Sequence, residues 1–328
     1  MDKFKVLVSS FSFGKISNEP ENLLKRNKCE LVYDRGPFSD DELARIIGDY
    51  FAIIAGEDEI GLQTLRKANK LRIIAKHGIG LDKINIPEAT KRRIVVTRAL
   101  GANEETVADY TFALILGIAR GLVPASISLG KGLWEGPKYT GIEIYEKVLG
   151  IVGLGSIGKK VAKRARGFGM EVLYYDVVRS EHFERKWSVK FVDLQTLVQL
   201  SDFVTVHVPL IPSTENLIGY NQLQKMKRTA YLINTARGSI VNEDDLYRAL
   251  EKGLLAGAAI DTYSKEPPEK NFPLFTLPNV LATPHIGGYT VEASMRTGMI
   301  VAEEIIRVAK GDSPQFSVNW EEIQAKGN

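Results

Sequence analysis

The stretch VLGIVGLGSIGKKVAKRARGFGMEVLYYD, residues 148–176, sets an apolar run, a glycine cluster, a basic amphipathic segment and a second apolar run in that order. This order predicts a strand, a tight turn, a helix and a second parallel strand. Gly153, Gly155 and Gly158 give the spacing G-x-G-x-x-G. Alone that spacing is weak, because glycine is common in turns; here its flanks supply the context it needs. Val161, Ala162, Ala165 and Phe168 fall on one helical face. Gly153 permits the strand-to-helix turn. Gly155 lets a pyrophosphate approach the backbone, and Gly158 lets the helix pack close to the strand. The helix N-terminus offers unpaired N–H groups and partial positive charge to phosphates. Asp176 ends the second run, 18 residues after Gly158. Its carboxylate suits a ribose 2′-hydroxyl and repels a 2′-phosphate, which favours NAD over NADP; nearby Arg179 tempers the preference.

The same rhythm extends outward in both directions. β-Branched runs at 5–10, 29–34, 51–56, 71–78 and 94–99 precede the motif, and runs at 203–209, 230–236, 256–261 and 279–285 follow it. Helical segments separate them. Ser39 with Glu42 forms a capping box, and Asn242 with Gly253 brackets another helix. The fold class is therefore α/β, with doubly wound parallel sheets. Its 328 residues suggest two domains. We expect a discontinuous substrate domain of residues 1–98 plus 291–328 and a cofactor domain of residues 99–290. The helix read over 289–311 then packs back on the first domain. Between the domains, residues 102–132 carry apolar residues on more than one helical face, as in a helix that is buried or shared with a partner subunit.

Composition removes several classes. The net charge is +3 with no block of like charge, which argues against a nucleic-acid partner. The single cysteine, Cys29, excludes an internal disulfide framework, and the four histidines lack metal-ligand spacing, so no metal is expected. The apolar region 111–123 is interrupted by Arg120, which argues against a membrane span. A cytoplasmic protein is the expectation.

Ligands of doubly wound sheets lie at the carboxyl ends of strands. Three reactive residues follow the later strands: Arg237 in NTARG, Glu266 in DTYSKEPP and His285 in TPHIGG. Each singly has an ordinary reading, as a surface charge, a loop residue or a structural histidine. Together they suit hydride transfer to a 2-oxo acid. Histidine delivers a proton to the developing oxyanion near neutral pH. A carboxylate beside it favours and orients the imidazolium, and a guanidinium binds the substrate carboxylate at two points.

At this point HGIGLDKINI (77–86), VTVHVPLIPSTENLI (204–218), LINTARGSIVNEDDLYRAL (232–250), GAAIDTYSKEPP (257–268) and NVLATPHIGG (279–288) join the opening stretch. The chain resembles the D-isomer-specific 2-hydroxyacid dehydrogenase family along nearly its whole length, and within it the catalytic part of the D-3-phosphoglycerate dehydrogenase branch. The resemblance implies two Rossmann-like domains with the active site in the cleft between them, and Arg237, Glu266 and His285 as the catalytic set. It implies cofactor contacts from Gly153, Gly155, Ser156, Ile157, Gly158, Asp176, Thr235, Ala236 and Asp261, the last near the nicotinamide amide. It implies a substrate loop of Lys76, His77, Gly78, Ile79 and Gly80 acting with Arg237. It also implies a homodimer built on the cofactor domains.

Two departures stand out. Where phosphoglycerate enzymes carry arginine after the third strand, this chain has Glu57 and Asp58, two carboxylates expected to repel a phosphate. DTYSKEPP also differs from the commoner DVF–EP form while keeping the Asp–Glu spacing. The main reading is an NAD-dependent D-2-hydroxyacid dehydrogenase of the phosphoglycerate dehydrogenase type acting on a small 2-oxo or 2-hydroxy acid. Its rivals are a hydroxypyruvate or glyoxylate reductase, a sugar-acid dehydrogenase, and a non-catalytic protein that senses NADH.

Overall fold

Strand alternation sorts the first apolar runs onto two faces. In β1 (Phe4–Val8), Val6 and Val8 join one core and Leu7 joins the other. A sheet buried on both faces needs apolar residues at every position, which explains the near-continuous runs. A computed structural model describes residues 3–325. Two compact units divide them: one runs to Asn103 and resumes at Tyr289, and the other is Glu104–Gly288.

In the first unit, β1 is joined by β2 (Cys29–Tyr33), β3 (Ala52–Ala55), β4 (Ile73–Lys76) and β5 (Val95–Arg98) in the order β2-β1-β3-β4-β5. All pairs are parallel. The order reverses beside β1, so the loops after β1 and β3 diverge at their carboxyl ends. Leu43, Leu65 and Ala89 cover one face. The other is covered by Val301, Ala302, Ile305 and Ile306 of the helix Val291–Lys310, which follows the second unit in sequence. Thr290 caps that helix by accepting from Ala293 N, and Gly311 ends it at φ +81°. Asn319 then secures the terminal segment, accepting from Val96 N and donating to Ile94 O and Thr90 Oγ1.

The second unit holds β6 (Val148–Val152), β7 (Glu171–Tyr175), β8 (Val189–Phe191), β9 (Phe203–Val206), β10 (Tyr231–Asn234), β11 (Gly257–Ile260) and β12 (Val280–Ala282). The parallel order is β12-β11-β10-β9-β6-β7-β8, with the reversal between β6 and β9. β8 is absent from the sequence reading. It is three residues long at the sheet edge, and only Val189 is buried. The apolar segment 102–132 forms two helices, Glu104–Ala119 and Leu122–Gly130, meeting at 63°. Gly121 makes the break with φ +57°. The first helix is mostly buried, whereas Leu122, Val123, Ile127 and Leu129 of the second are exposed. No single helix among the described residues is long and apolar enough to cross a membrane.

Candidate active site

The glycine loop lies where the second sheet reverses. Gly153 has φ +99°, and a Cβ there would stand 2.8 Å from Val208 Cγ1 and 2.9 Å from the His207 carbonyl carbon. A Cβ on Gly158 would collide with the Gly153 carbonyl oxygen, so this glycine lets helix Ser156–Gly167 close on β6. A Cβ on Gly155 would meet nothing within 4 Å. The loop thus presents bare backbone at that point, ahead of the N–H groups of Ser156, Ile157 and Gly158 in the first helical turn. Asp176 Oδ2 accepts from Leu154 N at 2.7 Å, which ties the carboxylate to the same loop. Arg179 pairs at two points with Glu184, at 3.0 and 2.9 Å, so its guanidinium is engaged by a carboxylate of its own. At the end of β9, His207 Nε2 is buried without a hydrogen-bond partner. Burial pulls this imidazole down to about 3 and keeps it neutral. Bare backbone, a helix N-terminus, a tethered carboxylate and a buried polar atom beside them fit a dinucleotide.

The three reactive residues come together through their turns. Buried Asn234, at the end of β10, accepts from Ala236 N at 3.1 Å and donates to Arg237 O at 2.9 Å. Thr235 Oγ1 lies 3.3 Å from Thr111 Oγ1. Arg237 Nη1 donates to Ala236 O. A Cβ on Gly238 would collide with the Tyr263–Ser264 backbone, so the Arg237 turn packs directly on the segment that carries Glu266. Glu266 Oε1 accepts from Tyr263 N at 3.0 Å, and its Oε2 lies 2.8 Å from His285 Nδ1. Burial alone would raise this carboxyl; the bond and charge of His285, the Tyr263 N–H and the Arg237 charge outweigh it and hold Glu266 below its ordinary range.

His285 has φ +52°, in the left-handed region. Asp261, 1 % exposed, braces its loop: Oδ1 accepts from Thr283 Oγ1 (2.7 Å) and Ile286 N (2.9 Å), and Oδ2 from Gly287 N (2.7 Å). Three of a carboxylate's roughly four acceptor positions are thereby filled. Burial raises the Asp261 carboxyl against the opposing pull of these donors. Tyr263 Oη donates to Thr283 O at 2.9 Å.

The loop Lys76–Gly80 belongs to the first unit. Lys76 is 5 % exposed, and its Nζ donates to Gly56 O and to Glu57 Oε1, the latter at 2.8 Å. His77 Nδ1 lies 3.2 Å from Ser10 Oγ and 3.1 Å from Ser12 Oγ, while Nε2 is buried without a partner. Burial, then the charges of Lys76 and Arg35, pull His77 down to about 4. Gly78, Ile79 and Gly80 are half-buried. Asp58 departs from its expected part. It is 2 % exposed and accepts from Ser9 Oγ, Gly56 N and Phe38 N. Its charge is used inside the fold to fasten the loops after β1 and β3. Sequence reasoning also missed Asn234 and Tyr263; the only hint was that Asn234 ends β10 just before Arg237 and Tyr263 lies in the loop between β11 and Glu266.

The model of the D-isomer specific 2-hydroxyacid dehydrogenase NAD binding domain matches residues 112–287. A glyoxylate reductase of Korarchaeum cryptofilum is 40 % identical over 304 residues, covering 91 % of this chain and 92 % of that one. A D-3-phosphoglycerate dehydrogenase of Archaeoglobus fulgidus is 41 % identical over 321 residues, covering 98 % of this chain and 60 % of the relative. The chain thus spans about three fifths of that relative's length. Among solved structures, a D-lactate dehydrogenase from Aquifex aeolicus in complex with NAD and lactic acid superposes with a TM-score of 0.85 at 27 % identity, covering 96 % of this chain and 99 % of that one. The chain therefore belongs to the D-isomer specific 2-hydroxyacid dehydrogenase family and is an NAD-dependent oxidoreductase of 2-hydroxy acids.

Proposed function

We propose that the enzyme interconverts a small, unphosphorylated 2-oxo acid, of the glyoxylate or hydroxypyruvate kind, with its D-2-hydroxy acid. The 2.8 Å contact between His285 Nδ1 and Glu266 Oε2 carries the chemistry. With Nδ1 turned to the carboxylate, the ring presents Nε2 on its opposite side. His285 gives a proton to the carbonyl oxygen in reduction and takes it back in oxidation. Glu266 orients the ring and stabilises its charged form. Arg237 holds the substrate carboxylate and polarises the carbonyl. Bound NAD supplies the acceptor, and NADH the donor, of the hydride. The glycine loop with Ser156 and Ile157 would hold its pyrophosphate, Asp176 its ribose, and Thr235 and Ala236, just after β10, would line the cofactor's path. Asp261 braces the His285 loop and would accept from the nicotinamide amide with its remaining acceptor position.

The choice against a phosphorylated substrate rests on the first unit. Lys76, the cation of the Lys76–Gly80 loop, is paired with Glu57, and a phosphate dianion needs positive charge that has not already been neutralised. The His77 N–H is taken by Ala55 O at 2.8 Å, and the backbone N–H groups of Gly78, Ile79 and Gly80 serve a small carboxylate instead. Glyoxylate, hydroxypyruvate, pyruvate and phosphohydroxypyruvate, compared by the loss of NADH absorbance, test the reading. Highest kcat/KM on phosphohydroxypyruvate contradicts it. The exposed apolar helix Leu122–Gly130, with Leu133 and Trp134 beyond it, is the face of a homodimer built on the second units. The protein works in the cytoplasm.

A further inference from the structure

His285 holds a backbone conformation that its side chain disfavours, so something must hold it there. One residue bonds Glu266 directly and reaches the His285 loop through the Thr283 carbonyl. Tyr263 N donates to Glu266 Oε1 at 3.0 Å, and Tyr263 Oη donates to Thr283 O at 2.9 Å. The same Thr283 carbonyl accepts from His285 N at 3.1 Å. The phenol ring is 7 % exposed and lies edge-on to Phe272 and Phe275, with centroids 5.8 and 5.7 Å away. Ring and hydroxyl therefore have one orientation, and the hydroxyl ties the segment after β11 to the segment after β12. This is also where DTYSKEPP departs from the commoner phenylalanine form, which has the ring but no hydroxyl.

We infer that the Tyr263 hydroxyl is a positioning group for proton transfer, fixing the His285 loop in register with Glu266. The inference rests on the assignment of His285 and Glu266 made above. Tyr263 moves no proton itself. Burial, then the charges of Asp261 and Glu266, push its phenol up to about 12, so it remains a donor throughout the working range. A buried hydrogen bond that fixes a general acid influences turnover more than substrate binding, because misplacement is felt in the transition state.

The test is Tyr263→Phe, which removes one oxygen and keeps both the aromatic box and the N–H to Glu266. We expect kcat to fall about tenfold and the pH limb of reduction to move downward, with KM for the 2-oxo acid and NADH affinity within about twofold of wild type. In a Glu266→Gln background the same substitution should add little further pH shift, since both act on one pair. Wild-type kcat and pH profile in Tyr263→Phe overturn the inference. Should that variant lose its fold, 3,5-difluorotyrosine at position 263 gives a separate reading. Its phenol ionises in a lower range, so kcat must fall as the donor is lost, at pH values where wild type is unaffected; superposing profiles overturn the inference. If Glu266→Gln and His285→Ala alter turnover while Tyr263→Phe does not, only this inference fails. If those two leave turnover unchanged, the assignment beneath it fails.

Discussion

Replacing Glu266 with glutamine keeps the shape of the His285 contact and removes its charge. In the native site the carboxylate lies 2.8 Å from Nδ1, with side chains 36 % (His285) and 22 % (Glu266) exposed. An opposite charge at such range favours an ionised partner by about 1–3 pH units. Partial exposure of the imidazole places this pair at the lower end, about one unit, or ~1.4 kcal/mol. The sign follows from the reaction. Reduction needs His285 protonated, and losing the anion weakens its hold on the proton, so the limb of kcat/KM for reduction moves down by about one unit. Oxidation needs the neutral imidazole and extends to correspondingly lower pH. Steady-state profiles in both directions, with circular dichroism to check folding, measure the shift. Limbs that coincide with wild type in a folded protein refute the pairing.

Three further outcomes follow from other parts of the structure. Asp176→Ser removes the carboxylate assigned to the ribose; kcat/KM with NADH should fall about 10–100-fold while NADPH use holds or improves, and an unchanged cofactor ratio counts against the assignment. His77 and His207 are held neutral, at about 4 and about 3, while unfolded histidine takes up its proton near 6.5. The unfolded chain therefore binds more protons below about pH 6.5, and Tm should fall as pH drops from there toward 4. The double variant His77→Asn, His207→Asn should flatten that slope, and an unaltered slope contradicts the buried neutral state. If the proposed homodimer forms through this face, Ile127→Asp with Leu129→Asp should yield a monomer in sedimentation velocity; a sedimentation coefficient equal to that of a dimeric wild type removes this face as the interface.

Most of the fold was legible because a sheet covered on both faces writes itself as runs of valine, isoleucine and leucine. FVTVHVP shows why strand ends were less legible. β9 stops at Val206, although the apolar run continues and His207 N still donates to Val152 O at 2.8 Å. β8 escaped notice because VKF at a sheet edge buries only its valine. Gly121 in an apolar stretch resembled a tolerated helix residue, and only its positive φ marks a break between two helices.

Within the site, the strand-end positions of Arg237, Glu266 and His285 were readable, since ligands of such sheets gather there. Their supports were not. Asp58 was expected to repel a substrate phosphate because the donors that bury it, Ser9 Oγ and Phe38 N, come from distant parts of the chain. Lys76 looked like a substrate cation, and only its bond to Glu57 shows its charge already paired. Tyr263 finds its acceptor 20 residues away in sequence, on a backbone carbonyl, which leaves no signature in residue type.

The central claim is that His285 carries the proton. His285→Ala, assayed in both directions across the 2-oxo acid panel, with NADH binding followed by fluorescence, tests it most directly. The account predicts a loss of ~10²–10⁴ in kcat with NADH affinity kept. Turnover near wild type with every accepted substrate contradicts it.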